Sequence, residues 1–375
     1  MRAGGADPDW AAVALPGTYF REICQIQYNG VARQAALALG ERLRPWQFNL
    51  TEASIQNRNV RDPVPQTERR SLLDPTGEIN LEDEAAVETA VRGILDRRYA
   101  GKYNLALFRQ ATADVVRAYR GEYPGLLRCD ALYHDLRHSL ETALTMARLL
   151  DGYAASHAPG SAAGIDAEHA LLGVLLALFH DIGLLRRDAE THLWGPSLTP
   201  IHEERGVEFM QTYLAGTSLA ALIGETKLIM ATKLVYTIPD GWTMAERTLA
   251  SMIATADLIS QISDRCYLEK CRDFLFVEFS AFGLAGKSDS PFPDSQTLLQ
   301  KTPAFVEQFL RKRMDEDFMG VRRYLRDHLG GADPWDDAIK RNVSYLKSLL
   351  ENNELGRLRR NPAPFVGGAP RSDSA

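Results

Sequence analysis

The chain has 375 residues, 45% of them hydrophobic and 25% charged, with a formal net charge of −6. That size and apolar content support one large domain with extensions, or two small ones. The acidic balance disfavours an extended nucleic-acid surface, because the basic clusters at 311–313 and 357–360 are short and read as solvated helix faces.

Residues 1–16 hold one arginine and no apolar segment of a secretory signal, and read as a flexible arm. An extension follows over 17–125. Within it Ile23, Ile26, Val31, Ala35 and Leu39 recur at helical spacing across 18–43. Turn formers dominate 45–80, including Asp62-Pro63 and Asp74-Pro75-Thr76-Gly77, and predict irregular chain. Helices are expected over 82–98 and 104–120, the second closed by Gly121 and Pro124. A central domain is expected over 126–285, with helices at 134–150, 167–178, 201–214, 219–235 and 244–279. The segment 167–178 is apolar nearly all round, which predicts a fully buried helix. Its apolar run of about ten residues is far shorter than the ~20 that span a bilayer. After a polar loop at 283–295, helices are expected at 302–329 and 333–352, the C-terminal helices of 296–352 packing on the domain. The tail over 353–375 reads as disordered. With no βαβ alternation and no internal repeat, the fold class is all-α. The cysteines Cys24, Cys129, Cys266 and Cys271 lack a disulfide or zinc spacing and point to a reducing, cytoplasmic setting.

The chemistry gathers at three histidines and two aspartates. His134 and His138 are four apart and would share one helix face. His180 and Asp181 are adjacent. They can converge only near a helix end, which Gly183 would mark. Asp257 is a lone carboxylate in an otherwise apolar and small run, costly to bury unless it is paired or ligates a metal. Gln261 and Asp264 continue its face. Two His and two Asp make a mixed nitrogen and oxygen set suited to Mn, Mg, Fe or Zn.

The set H…HD…D on helices resembles the HD superfamily of metal-dependent phosphohydrolases, an all-α bundle. More narrowly, Tyr133-His134-Asp135-x-x-His138 resembles the Y-H-N-x-x-H segment of class I cyclic nucleotide phosphodiesterases, and Ala256-Asp257-Leu258 resembles their A-D-L helix. The likeness covers roughly 130–265, with the histidine pair, the His-Asp pair and Asp257 separated by 42 and 76 residues. Asp135 stands where those enzymes carry Asn, and Leu184 where they carry a second His after the His-Asp pair. The resemblance implies that His138, His180, Asp181 and Asp257 ligate a first divalent ion, that Asp181 reaches a second, and that His134 is the general acid. His202, in Ile201-His202-Glu203-Glu204-Arg205-Gly206, resembles an H-x-x-x-G helix start whose His ligates the second ion. No histidine lies between 202 and 257, which disfavours oxygenase relatives with a histidine-rich second site.

Arg186, Arg187 and Lys233 are candidate phosphate-binding cations, and Gln261, Trp194, Tyr236 and Trp242 candidate readers of a base. His157, His169, His192 and His328 read as structural or surface residues. The expected function is a metal-dependent phosphohydrolase, most specifically a phosphodiesterase acting on a cyclic nucleotide. The alternatives are a nucleotide phosphomonoesterase and a non-catalytic, metal-stabilised HD module. The expected partner is a small phosphoester or nucleotide, with no membrane and no nucleic acid. Self-association is left open.

Overall fold

The computed structural model describes residues 70–157 and 165–367. The expectations for the arm at 1–16 and the helix at 18–43 lie outside them. Among the described residues there are eleven α-helices and no sheet, only isolated bridges such as Leu73 with Asn80, so the fold is all-α.

The helices begin where short polar side chains can take up the free amides of a first turn. Helix α1 (Glu84–Tyr99) starts behind Asp83 and α2 (Leu105–Arg120) behind Asn104. Helix α3 (Leu136–Ala155) is capped by Asp135, and α4 (Ala167–Phe179) by Asp166. Helix α5 (His202–Leu214) has no such cap, whereas α6 (Met244–Ser263) opens with a reciprocal Thr243–Glu246 box. Short helices α7 (Tyr267–Lys270) and α8 (Phe276–Ala281) are joined by a wide π-helical turn. Helices α9 (Ser295–Ala304), α10 (Arg323–His328) and α11 (Pro334–Glu351) complete the described chain.

Helix α3 is the axis of the molecule, buried from Leu136 to Tyr153 and packed against α1, α4, α6 and α10. Helix α4 lies beside it, buried along nearly its whole length, as its uninterrupted apolar sequence requires. The stretch Ala167–Leu184 is the one candidate for a membrane span by length and hydropathy among the described residues, and 89% of it is buried inside the fold. One apolar core runs from Leu81 to Leu358, so α1, α2 and the C-terminal helices share it with the central block. Asp74 sits within this packing at 0% exposure. It accepts hydrogen bonds from the Ile79 amide at 2.9 Å and the Thr76 hydroxyl at 2.7 Å, and pairs with Arg148 of α3 at 2.7 Å. The irregular 70–80 segment is thereby stitched to the central helix.

Five expectations change, the first being the helix expected over 302–329, which passes into π-helical turns after Ala304 and is interrupted at 318–322, where Met319 and Gly320 adopt positive φ. The helix expected from 134 starts at Leu136, because Asp135 is extended and its carboxylate caps the His138 amide at 3.1 Å. The segment expected as an α-helix over 219–235 is a 3-10 helix, Ala220–Thr232, in which Thr226 and Thr232 hydroxyls donate to carbonyls three residues back. The long helix expected over 244–279 breaks at Asp264, whose extended ψ of 135° ends α6. There Asn342 of α11 donates to the carbonyls of Ile262 and Asp264, taking acceptors that a continuing helix would have used. The C-terminal chain is packed as far as residue 367. Leu358 is buried, and Phe365 receives the Leu136 amide on its carbonyl at 2.9 Å while its own amide donates to Asp135 at 2.7 Å.

Candidate metal centre

The first ligand comes from α3. Its extended cap places His138 in the first turn, buried, with Nε2 facing α6. Helix α6 brings Asp257, whose Oδ1 lies 3.1 Å from His138 Nε2. Helix α4 ends at Phe179, so His180 and Asp181 fall at its carboxyl end, where the helix dipole favours a cation. His180 Nε2 lies 3.2 Å from His138 Nε2, 3.2 Å from Asp181 Oδ2 and 3.6 Å from Asp257 Oδ1. Asp181 Oδ2 is also 3.6 Å from His138 Nε2.

The donor atoms of His138, His180 and Asp257 surround one point, and Asp181 Oδ2 flanks the two histidines. Donor atoms around a divalent ion at its usual bond length stand about 3.0–3.4 Å apart, close to the separations here. The buried group His138, His180 and Asp257 can therefore hold a metal ion. Two further observations fit a cation. Asp181 Oδ2 is buried and accepts no hydrogen bond. His180 donates from Nδ1 to the Ala177 carbonyl at 2.8 Å, which leaves the lone pair of the neutral ring on Nε2, facing the cluster.

The glycine after the His-Asp pair has a different role from the one expected. Gly183 does not adopt a left-handed conformation, and the chain turns there through Ile182–Leu184. What it supplies is room. A Cβ at this position would fall 1.9 Å from the His202 carbonyl oxygen, so only glycine lets α5 approach this closely. That approach brings His202 Nε2 to 3.3 Å from Asp181 Oδ1, while its Nδ1 donates to the Thr199 carbonyl at 2.7 Å. Asp181 thus offers one oxygen to the His138–His180 cluster and the other to His202, the arrangement a carboxylate needs to bridge two centres.

The electrostatics of the cradle call for positive charge. Burial raises the Asp181 pKa, but His180 and His134 outweigh it and hold the carboxyl well below the usual range. Asp257 is likewise lowered, burial being overcome by its contacts with His138 and His180. Burial disfavours the His180 imidazolium, yet Asp181 and Asp257 lift its pKa well above the ordinary histidine value. Two ionised carboxylates are held where water cannot solvate them.

His134 lies outside α3, two residues before it, and its position is set by a residue the sequence reading missed. Glu278 of α8, 1% exposed, accepts the amides of Leu132 and Tyr133 on Oε1, both at 2.7 Å. Its Oε2 accepts from His134 Nδ1 at 2.5 Å. The His134 ring stands 6.1 Å from that of His138, edge to face. Burial lowers its pKa, but Glu278 and then Asp181 raise it to about 9. Glu278 carried a signal: it is a lone carboxylate between Phe276, Val277 and Phe279, the same pattern that singled out Asp257.

The remaining candidates are held elsewhere. Gln261 donates to Asp257 Oδ1 at 2.5 Å and so supports a ligand. Asp264 leaves that face and pairs with Lys270 at 2.7 Å. Arg186 pairs with Asp130 at 3.0 Å and donates to the Leu193 carbonyl. Arg187 pairs with Glu208, and Lys233 with Glu204 at 2.7 Å. Trp194 donates to the Asp130 carbonyl, and Tyr236 packs near Trp242. His157, His169 and His328 bond to Tyr153, Asp166 and Asp151, while His192 is exposed. An apolar cavity lined by Leu234, Tyr267, Leu275, Phe279, Leu298 and Phe305 has a volume of about 40 Å³, room for a water molecule but not for a nucleobase.

No protein-family model matches the chain. No curated protein matches it either.

Proposed function

We propose that this protein is a metal-dependent phosphohydrolase of the HD type that cleaves a small phosphodiester, with a cyclic nucleotide as the preferred class. The observation that carries the reading is the juxtaposition of the His138–His180–Asp257 group, flanked by Asp181, with His134, whose ring stands 6.1 Å from that of His138 and whose Nδ1 donates to the buried Glu278 carboxylate. His138, His180, Asp181 and Asp257 would hold one ion, and His202 with the other Asp181 oxygen a second, Mn, Mg, Fe or Zn being suited to the donors. A divalent ion in such a cradle acidifies a water molecule and polarises the phosphoryl group.

The chain's own residues account for the other half of the reaction. A water oxygen forms a bond to phosphorus as the ester oxygen leaves, and the leaving oxygen needs a proton. Glu278 occupies His134 Nδ1, so the transferable proton of the imidazolium is the one on Nε2. Because Arg186 and Lys233 are already paired, the reading leaves phosphate recognition to the ions. The free, buried cysteines Cys129, Cys266 and Cys271 support a reducing, cytoplasmic setting.

The test is metal content and hydrolysis of a panel of cyclic and linear phosphodiesters and nucleotide monoesters, with Mn or Mg added. Asp257→Ala should lose metal and activity together. His134→Ala should keep metal and lose about 10²–10⁴ in turnover. Metal retained in full by Asp257→Ala would overturn the ligand set. Metal bound without cleavage of any panel member would favour a binding module over an enzyme.

A further inference from the structure

Beyond the end of α6 the fold gathers positive charge from four segments. Arg137 donates from Nη2 to the Ser71 carbonyl at 2.8 Å and lies 3.6 Å from the Asp264 carboxylate, which brings the chain at Arg70 beside the chain at Arg265. Asn342 donates to the Asp264 carbonyl at 2.9 Å and so sets Arg341, its neighbour on α11, at the same place. The Arg360 amide donates to Glu269 at 3.4 Å, one residue before Lys270, whose ammonium pairs with Asp264. Arg70, Arg265, Arg341 and Arg360 are all exposed.

Their charges are poorly compensated among the described residues. Among the described residues Arg70, Arg265 and Arg341 pair with no carboxylate, and Arg360 has only a 3.5 Å contact with the buried Glu269. Asp264 is committed to Lys270, Arg137 and the Cys266 amide. After burial, the positive charges of Arg341, Arg70 and Arg360 are what depress the Arg265 guanidinium below its ordinary value. The charges of Arg341, Arg70 and Arg360 all act on Arg265, so an anion gripped there by several forks at once is stabilising. A single phosphate engages one or two forks in the bidentate manner, so four forks match at least two linked phosphates.

We propose that Arg70, Arg265, Arg341 and Arg360 form a binding site for a diphosphate or triphosphate group, distinct from the metal cradle. Ser263, the last residue of α6, is six residues beyond Asp257, about 9 Å along the helix, and Arg265 follows past the break. The ligand is either inorganic pyrophosphate or the phosphate chain of a nucleotide. The site does not depend on the phosphohydrolase reading, since none of its residues belongs to the metal cluster.

The experiment is calorimetric titration of the full-length, EDTA-treated protein with pyrophosphate, inorganic phosphate and ATP, in the absence of divalent ions. Pyrophosphate should bind more tightly than phosphate and weaken as salt is raised. Equal affinity for ATP and pyrophosphate would assign the site to the phosphates alone, and tighter ATP binding would assign it to a nucleotide. Arg265→Ala/Arg341→Ala should bind pyrophosphate at least about tenfold more weakly. Without ligand its melting temperature should be equal to or above that of the parent, because repulsion is relieved. Arg70→Ala provides a second, independent variant. No binding to the parent protein, or equal binding to parent and variants, would overturn the proposal.

Discussion

Replacing Glu278 by glutamine isolates the device that holds His134. The side chain keeps its shape, and its carbonyl oxygen can still accept the Leu132 and Tyr133 amides that Glu278 accepts at 2.7 Å. What changes is the other end, where an NH₂ group now faces His134 Nδ1 in place of a carboxylate. Two N–H groups cannot share that contact, so the imidazolium is disfavoured and the neutral ring keeps its proton on Nε2. In the parent the His134 pKa is raised from 6.5 to about 9. That rise corresponds to about 3 kcal/mol of preference for the imidazolium in the folded state, to order of magnitude. Because the folded value lies above the unfolded one, this stabilisation is complete below about pH 6.5 and disappears as the pH rises through about 9. Urea unfolding at pH 6 should show Glu278→Gln less stable than the parent by about 2–3 kcal/mol, and the gap should close by pH 10. NMR titration of the metal-free protein should show His134 moving to or below the ordinary histidine value. A gap that does not change with pH, or a His134 titration that does not move, would refute the assignment of Glu278 as its counter-charge.

Two other perturbations test the architecture behind the site. Gly183→Ala should cost about 1–3 kcal/mol in thermal or urea unfolding, because the new Cβ meets the His202 carbonyl at 1.9 Å and α5 must withdraw. With α5 displaced, metal titration should show the weaker of two binding events lost and the tighter kept. Asp74→Ala should cost about 3–5 kcal/mol by leaving the buried Arg148 guanidinium without its partner. Burial raises the Asp74 pKa, but Arg148 and the Ile79 and Thr76 bonds bring it below the usual value. Its contribution is therefore present above about pH 4 and fades as the pH falls further, so parent and variant should converge in acid unfolding. A loss under 1 kcal/mol at pH 7 would show that the 70–80 segment is not anchored there.

The local features of this chain are legible in its sequence. The starts of α1, α2, α4, α6 and α11 follow from Asp, Asn or Thr at the cap, whose side chains satisfy first-turn amides without help from the rest of the fold, whereas α3 and α9 begin behind Asp135 and Asp294 and not at the expected 134 and 302. The burial of α4 follows from its composition, since a helix with no polar face has nowhere to go but the core. A carboxylate isolated among apolar residues marked Asp257, and the same test applied at 278 would have marked Glu278.

Tertiary structure decided the rest, because each remaining feature depends on groups distant in sequence. His134 and His138 do not share a helix face: Asp135 caps α3 between them, and Glu278, 144 residues away, draws His134 aside. Gly183 reads as a helix terminator from its neighbours, but its use is the approach of a carbonyl from α5. Arg186 and Lys233 looked free for phosphate until Asp130 and Glu204 were brought beside them. The four arginines beyond the end of α6 are unremarkable singly, and contacts of Asp264, Arg137, Asn342 and Glu269 make them neighbours. Sequence specified which side chains can ligate, cap or carry charge, as these are properties of a residue and its nearest neighbours. Which of them share a centre is a property of packed helices, and only the fold decides it.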